Sequence, residues 1–279
     1  MSLISLLIAL MAERHLSLSV WQFNHYYRMY LTWWKKIDKQ ANFLQNETKT
    51  LAVIVLPIAI VGLLMEFIDD GILKFLLSTL ILIVCFGCVK SRDAYKCFLR
   101  SAFRGEMTTC EMNRQQLLKE KGLEDQGFGQ SLVWLNYRYY IAIMLFFVAF
   151  GAAGAVFYRL LTTLVEQNHD DEITISDGVL KSCKQVLAVI DWLPVRITAF
   201  GYMFVGHFSK ALPTWLESLF NFTSTPNQIL ISVAKVAEDY SIDDDDCTAE
   251  PCLLVRLAKR TLLLLLAVIS ALTILGVVN

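Results

Sequence analysis

At 279 residues, 56% hydrophobic and only 18% charged, the chain is more apolar and less charged than soluble domains, which run at about 45–50% and about 25%, so a bilayer is its expected solvent. A formal net charge of −1 excludes the strongly basic surface of a nucleic-acid binder. Seven cysteines, an odd number without a secreted-scaffold spacing, exclude a disulfide framework; Cys85 and Cys88 form a CxxC inside an apolar run that offers no polar neighbours for redox or metal chemistry.

The first apolar run, Met1 to Ala12, is short for a span, which needs about 20 residues, and lacks the basic leader and cleavage site of a signal peptide. It predicts a retained helix, interfacial or partly inserted, ending at Glu13 and Arg14. Over 20–41, Val20, Phe23, Tyr27, Tyr30, Trp34, Ile37 and Ala41 recur every three or four residues, while Asn24, Arg28, Thr32, Lys35 and Lys39 fall on other faces. Aromatic rings toward lipid and cations toward phosphate predict an amphipathic helix in the membrane interface.

Two uncharged runs, Leu51 to Met65 and Phe75 to Val89, flank an acidic turn at Glu66, Asp69 and Asp70 and predict a hairpin of spans 51–68 and 72–90. Pro57 is expected to kink the first. The basic segment 91–138 predicts a cytoplasmic loop with helices around 91–104 and 109–121, Gly122 being a stop signal. Tyr139 to Tyr158 is uncharged and predicts the span 139–159, whose Gly151-Ala152-Ala153-Gly154-Ala155 cluster suits close helix packing. An acidic loop over 166–177 leads to a charged span at 186–208. The segment 209–260 is polar and read as cytoplasmic; its run Asp243 to Asp246 lacks the spacing of a metal-ligand loop. A last apolar helix covers 261–278. The expected fold class is therefore all-α: one polytopic membrane domain over 1–279 with about five transmembrane helices plus interfacial helices. Lys and Arg crowd 13–50 and 90–138 while 66–71 and 166–177 are acidic, which puts most loop mass in the cytoplasm.

The stretch Val189 to Pro213 carries Asp191, Arg196, His207 and Lys210 in an apolar setting. A charge at the bilayer centre costs about 2.5–3.5 kcal/mol, so such residues face protein, water or ligand. On a continuous helix Arg196 and His207 would share a face about 16 Å apart, with Lys210 nearby. Pro194 is expected to set Asp191 in a preceding half-helix. These residues suggest a cationic pocket for a phosphate or carboxylate, made by Arg196, His207 and Lys210 with Asn136 and Arg138, and with Arg104 as a further cation. The plainer arrangement pairs Arg196 with Asp191 and leaves His207 and Lys210 at the interface. The chain has no Walker-type loop, dinucleotide-binding glycine motif, zinc-protease helix or serine-hydrolase elbow, so no catalytic residue, metal, ATP or other cofactor is expected.

The strings LVWLNYRYY (132–140), VLAVIDWLPVRITAF (186–200) and GHFSKALPTWLESL (206–219) closely resemble the AmpE family of bacterial inner-membrane proteins, with matching segment order over essentially the whole chain. The resemblance implies a signalling or regulatory role in β-lactamase induction, linked to muropeptide recycling. The family is distantly similar to the adenosylcobinamide-phosphate synthases, whose GRDT-like string Arg104-Gly105-Glu106 loosely echoes. Arg138 stands where their aspartate would be, which speaks against ATP-dependent condensation. The expected function is thus a non-enzymatic regulator in the bilayer that senses an anionic molecule, muropeptide or phosphate-bearing; no protein partner is legible. Its rivals are a synthase-like ligase using Asp191 or Glu106, and an anion transporter with Arg159 as outer cation.

Overall fold

The computed structural model describes residues 2–16, 18–37, 46–123, 126–166, 175–221, 223–238 and 248–276, and among them every regular element is helical, as the apolar runs predict. Lys39, Ala41, residues 167–174 of the acidic loop and the run Asp243 to Asp246 lie outside the described residues. By length and composition alone three helical stretches could cross a membrane, Glu47–Phe67, Phe128–Glu166 (which is broken at Gly151) and Asp177–Val205, and a fourth if Gly71–Cys85 and Val89–Phe103 are counted as one. The described residues fall into two compact units, within Met1–Gly87, Ala142–Leu187 and Leu272–Asn279 for the first and Cys88–Ile141 and Ala188–Ala271 for the second.

In the first unit α8 (Ala142–Glu166) is the element against which α1 (Ser2–His15), α2 (Phe23–Ile37), α3 (Glu47–Phe67) and α4 (Gly71–Cys85) pack. Leu6 and Ala9 of α1 are buried, and Ser5 hydrogen-bonds the Thr79 hydroxyl of α4 at 2.9 Å. In α2 the buried face is Phe23, Tyr27 and Leu31, at i, i+4 and i+8, and Tyr30 Oη donates to the Val53 carbonyl at 2.9 Å. Tyr26, Met29 and Trp33 remain exposed. Most of α3 shows apolar side chains outward, Leu51, Val55, Ile60, Leu63 and Phe67 among them, a surface that only a lipid medium makes favourable. Arg159, the outer cation that the transporter reading would need, is buried in α8 with its guanidinium 5.5 Å from the Phe23 ring centre.

Two spans expected from hydropathy are interrupted. Residues 72–90 do not form one helix: α4 stops at Cys85, Phe86 is extended, Gly87 has φ 78°, and α5 (Val89–Phe103) starts anew. Residues 139–159 are folded sharply at Gly151, whose φ of 67° and ψ of −158° lie outside any helix. Phe146 and Tyr158 consequently stack with ring centres 4.9 Å apart.

In the second unit α5 and α6 (Met107–Lys121) form a helical hairpin closed at Gly105, and Gly122 ends α6 in the left-handed conformation, the stop its position predicts. They enclose a core of Phe98, Cys110, Leu117, Phe128, Leu132, Leu135 and Tyr139, in which the Phe98 and Phe128 rings stack at 4.2 Å. Phe128 opens α7 (Phe128–Asn136).

The segment after residue 208 contains a second hairpin, α10 (Phe208–Phe220) and α11 (Pro226–Ala237), the latter burying Ile229, Leu230, Ile231, Val233, Ala234 and Ala237. Its turn is written locally. Asn221 Oδ1 accepts from the Thr223 amide and hydroxyl and from the Ser224 amide, and Thr225 and Gln228 make a capping box with Pro226 in the first turn. The hairpin closes back on the end of α9 (Asp177–Val205), where the His207 amide donates to the Ala237 carbonyl at 2.8 Å. A Cβ at Gly206 would stand 2.4 Å from that same carbonyl oxygen, a backbone atom that cannot step aside. Gly206→Ala is therefore expected to destabilise the protein by about 1–3 kcal/mol, the range for overpacking, read as a lower melting temperature in detergent. Unchanged melting would mean that this approach is not tight.

Candidate functional site

Immediately after α7 the chain makes a π-turn, Tyr137–Ile141, a local widening of the helix that is frequent at functional sites. The turn re-aims consecutive side chains of the Asn136-Tyr137-Arg138-Tyr139 string. Tyr137, fully buried, donates its phenolic hydrogen to Asp191 Oδ1 at 2.6 Å, and Asp191 is only 1% exposed. Trp134 stacks on Tyr137 at 5.3 Å and carries the Arg138 guanidinium 4.8 Å from its ring centre. Asn136 Oδ1 is buried without a hydrogen-bond partner among the described residues. Just beyond, buried Lys121 hydrogen-bonds the Tyr139 hydroxyl, its ammonium 4.5 Å from the ring centre. Of the residues singled out in the sequence, Asn136, Arg138 and, through Tyr137, Asp191 are thus set around one structural irregularity. Tyr137, Tyr139 and Lys121 were not anticipated: tyrosines in an apolar run read as lipid-facing aromatics, and a lysine at a helix end reads as an ordinary C-terminal cation.

Arg196 has a different setting. Pro194 does not divide α9, which runs unbroken from Asp177 to Val205, so Asp191 and Arg196 share one helix rather than two half-helices. Five residues apart, they point about 140° from each other, and the ion pair between them does not form. Arg196, 4% exposed, instead donates Nη1 to the Trp192 carbonyl at 2.9 Å and Nη2 to the carbonyls of Ser218 and Asn221, each at 2.8 Å. Its guanidinium lies 4.2 Å from the Trp192 ring centre, and Trp215 Nε1 donates back to the Arg196 carbonyl at 3.2 Å. A cation at the carbonyl end of α10 meets both the helix dipole and acceptors that the helix itself cannot serve. Arg196 is the C-terminal cap of α10, supplied from α9.

The continuous helix that would align Arg196 with His207 is also absent, because α9 ends at Val205 and His207 is the residue that starts α10. His207 and Lys210 are exposed at this junction, and Arg104 is exposed at the tip of the α5–α6 hairpin. The seven residues therefore occupy four settings: the π-turn, the α10 cap, the α9–α10 junction and the hairpin tip.

The Tyr137–Asp191 bond predicts a specific pattern of mutational coupling. Tyr137→Phe leaves a buried carboxyl group without its phenol and is expected to cost about 1–3 kcal/mol of stability. Asp191→Asn is expected to reduce that penalty in the double variant, giving a coupling energy of about 0.5–3 kcal/mol. Strictly additive melting shifts would sink the idea that the two groups act on each other.

All 279 residues match the family model described as regulatory signalling modulator protein AmpE. A curated relative, Protein AmpE of Shigella flexneri, is 26% identical over 254 residues, which cover 82% of this chain and 84% of its own. No solved structure matches the fold.

Proposed function

Because the chain belongs to the AmpE family of regulatory signalling modulators, we propose that it is a non-enzymatic, multi-pass inner-membrane regulator of β-lactamase induction that responds to an anionic ligand. The family match over residues 1–279 carries this reading. Lys- and Arg-rich stretches at 13–50 and 90–138 favour a cytoplasmic position for most of the loop mass. The ligand, a muropeptide or another phosphate- or carboxylate-bearing molecule, is met at the π-turn. Arg138 supplies charge there, and Asn136 offers its side-chain amide N–H as a donor to the anion. Tyr137 and Asp191 hold the turn in register from behind. His207, Lys210 and Arg104 contribute cations to the same membrane face at a distance, and Arg196 acts by fixing α10. No cofactor has a part in this mechanism, and no bond in the ligand is made or broken.

The test is β-lactamase induction in cells lacking the native gene and carrying either the native chain or Arg138→Gln. Full induction control by the native chain and its loss in Arg138→Gln, at equal membrane abundance, is the expected result. A native chain that leaves induction unchanged overturns the regulatory role. An Arg138→Gln variant that works normally removes the π-turn from ligand recognition.

A further inference from the structure

The α5–α6 hairpin ends in a surface of which the proposed regulatory reading uses Arg104 alone, and that only as a distant cation. Lys96, Arg100 and Phe103 follow at i, i+4 and i+7 along the outer face of α5, and Arg104 succeeds them at its C-cap. Phe103 is 82% exposed and Met107, the first residue of α6, 52%. A phenylalanine left this open next to a second apolar side chain loses the benefit of burial that either would gain from a partner phase. Lys96 lies 3.7 Å from Asp93, an exposed pair of little consequence. Among the described residues Arg100 and Arg104 make no ion pair, and the remaining carboxylate at the tip, Glu106, sits at the start of α6 where the helix dipole favours negative charge. The dipole of α5 accounts for cations in its last turn, but it does not account for Phe103 or Met107. An apolar wedge collared by guanidinium groups fits the boundary between phospholipid headgroups and acyl chains, where each part meets its complement.

We propose that the tip of the α5–α6 hairpin docks on the surface of a bilayer containing anionic phospholipid, with Phe103 and Met107 entering the acyl boundary and Arg100 and Arg104 engaging lipid phosphates. Docking of this kind would place a segment rich in Lys and Arg under the control of lipid composition. It stands apart from the regulatory reading, since it needs only that the chain resides in a membrane.

The experiment uses the full-length chain with Phe103→Trp, reconstituted in nanodiscs of zwitterionic lipid alone or with anionic phospholipid, the native chain serving as the background of six tryptophans. The added emission is expected to be blue-shifted and quenched by brominated lipid in anionic discs, and released when salt rises from about 0.1 M to about 1 M, where the screening length falls to about 3 Å. Arg100→Gln and Arg104→Gln in that background are each expected to weaken docking about fivefold, the effect of one basic side chain near an anionic surface. Emission quenched by aqueous iodide but not by brominated lipid, alike in both discs, overturns the proposal and points to a protein or solvent instead. Equal lipid quenching in both discs, unaffected by the arginine substitutions, overturns the role given to charge. Because all these side chains are exposed, native melting of each variant is expected and certifies the comparison.

Discussion

Arg196→Leu is expected to be among the most damaging single substitutions in the chain, lowering stability by about 2–5 kcal/mol. The estimate follows from what is left behind. The carbonyls of Ser218 and Asn221 lose the Nη2 donor that serves them at 2.8 Å, and each orphaned buried acceptor costs about 1–3 kcal/mol. Trp192 also loses the guanidinium that lies against its ring. Leucine restores apolar volume but has nothing to offer an oxygen. Arg196→Lys keeps the charge, yet a single ammonium on a flexible stem does not reproduce a planar fork spread over three carbonyls, so only partial rescue is expected. Melting in detergent measures the loss, and limited proteolysis locates it: cleavage is expected first at the turn around Asn221 to Thr225, which the clamp holds down. If Arg196→Leu melts normally and resists cleavage at that turn, the capping role is wrong.

Arg196 also shows how far the sequence could be read. A guanidinium in an apolar stretch announces that it is buried and partnered, and that inference holds. The identity of the partner was out of reach, because carbonyl groups belong to every residue and carry no signal of their own. They become partners here only because α10 ends 22 to 25 residues downstream, beside Arg196, a relation set by the hairpin rather than by any spacing within α9. Asp191 is the converse case. Its burial was legible and its nearest opposite charge was Arg196, but the direction of a side chain on an unbroken helix turned it toward Tyr137 instead. The helical class and the apolar segments followed from composition and period. What did not follow were the places where a long apolar run stops being one helix, at Gly87 and Gly151, since the sign of a backbone dihedral leaves no trace in hydropathy.

Gly151→Val is expected to do more than weaken the first unit: it should redirect the chain. A straight helix would separate Phe146 from Tyr158, twelve residues on, by about 18 Å, whereas their rings stack at 4.9 Å. The reversal is made at one residue, with φ 67° and ψ −158°, a region open essentially to glycine alone and costing other residues about 1–3 kcal/mol. Space is not the obstacle, since nothing lies within 4 Å of a Cβ there; Gly154 is the crowded position, where a Cβ would stand 2.6 Å from the Phe146 carbonyl oxygen. Valine cannot hold the positive φ of Gly151 without strain, which pushes the chain away from the reversal and toward a straight run through 139–159, the single crossing that hydropathy alone suggests. Reporter fusions placed after Glu166 are expected to lie on the same side of the membrane as those before Tyr139 in the native chain, and to divide between both sides in Gly151→Val, with lower protein yield. Gly62→Ala provides the contrast, because that glycine is helical and its surroundings are open; it is expected to leave topology unchanged and to gain about 0.5–1 kcal/mol. Native fusions on opposite sides of the membrane, or a Gly151→Val chain indistinguishable from native, would mean that the segment crosses straight through and that the stacking of Phe146 on Tyr158 does not occur in the bilayer.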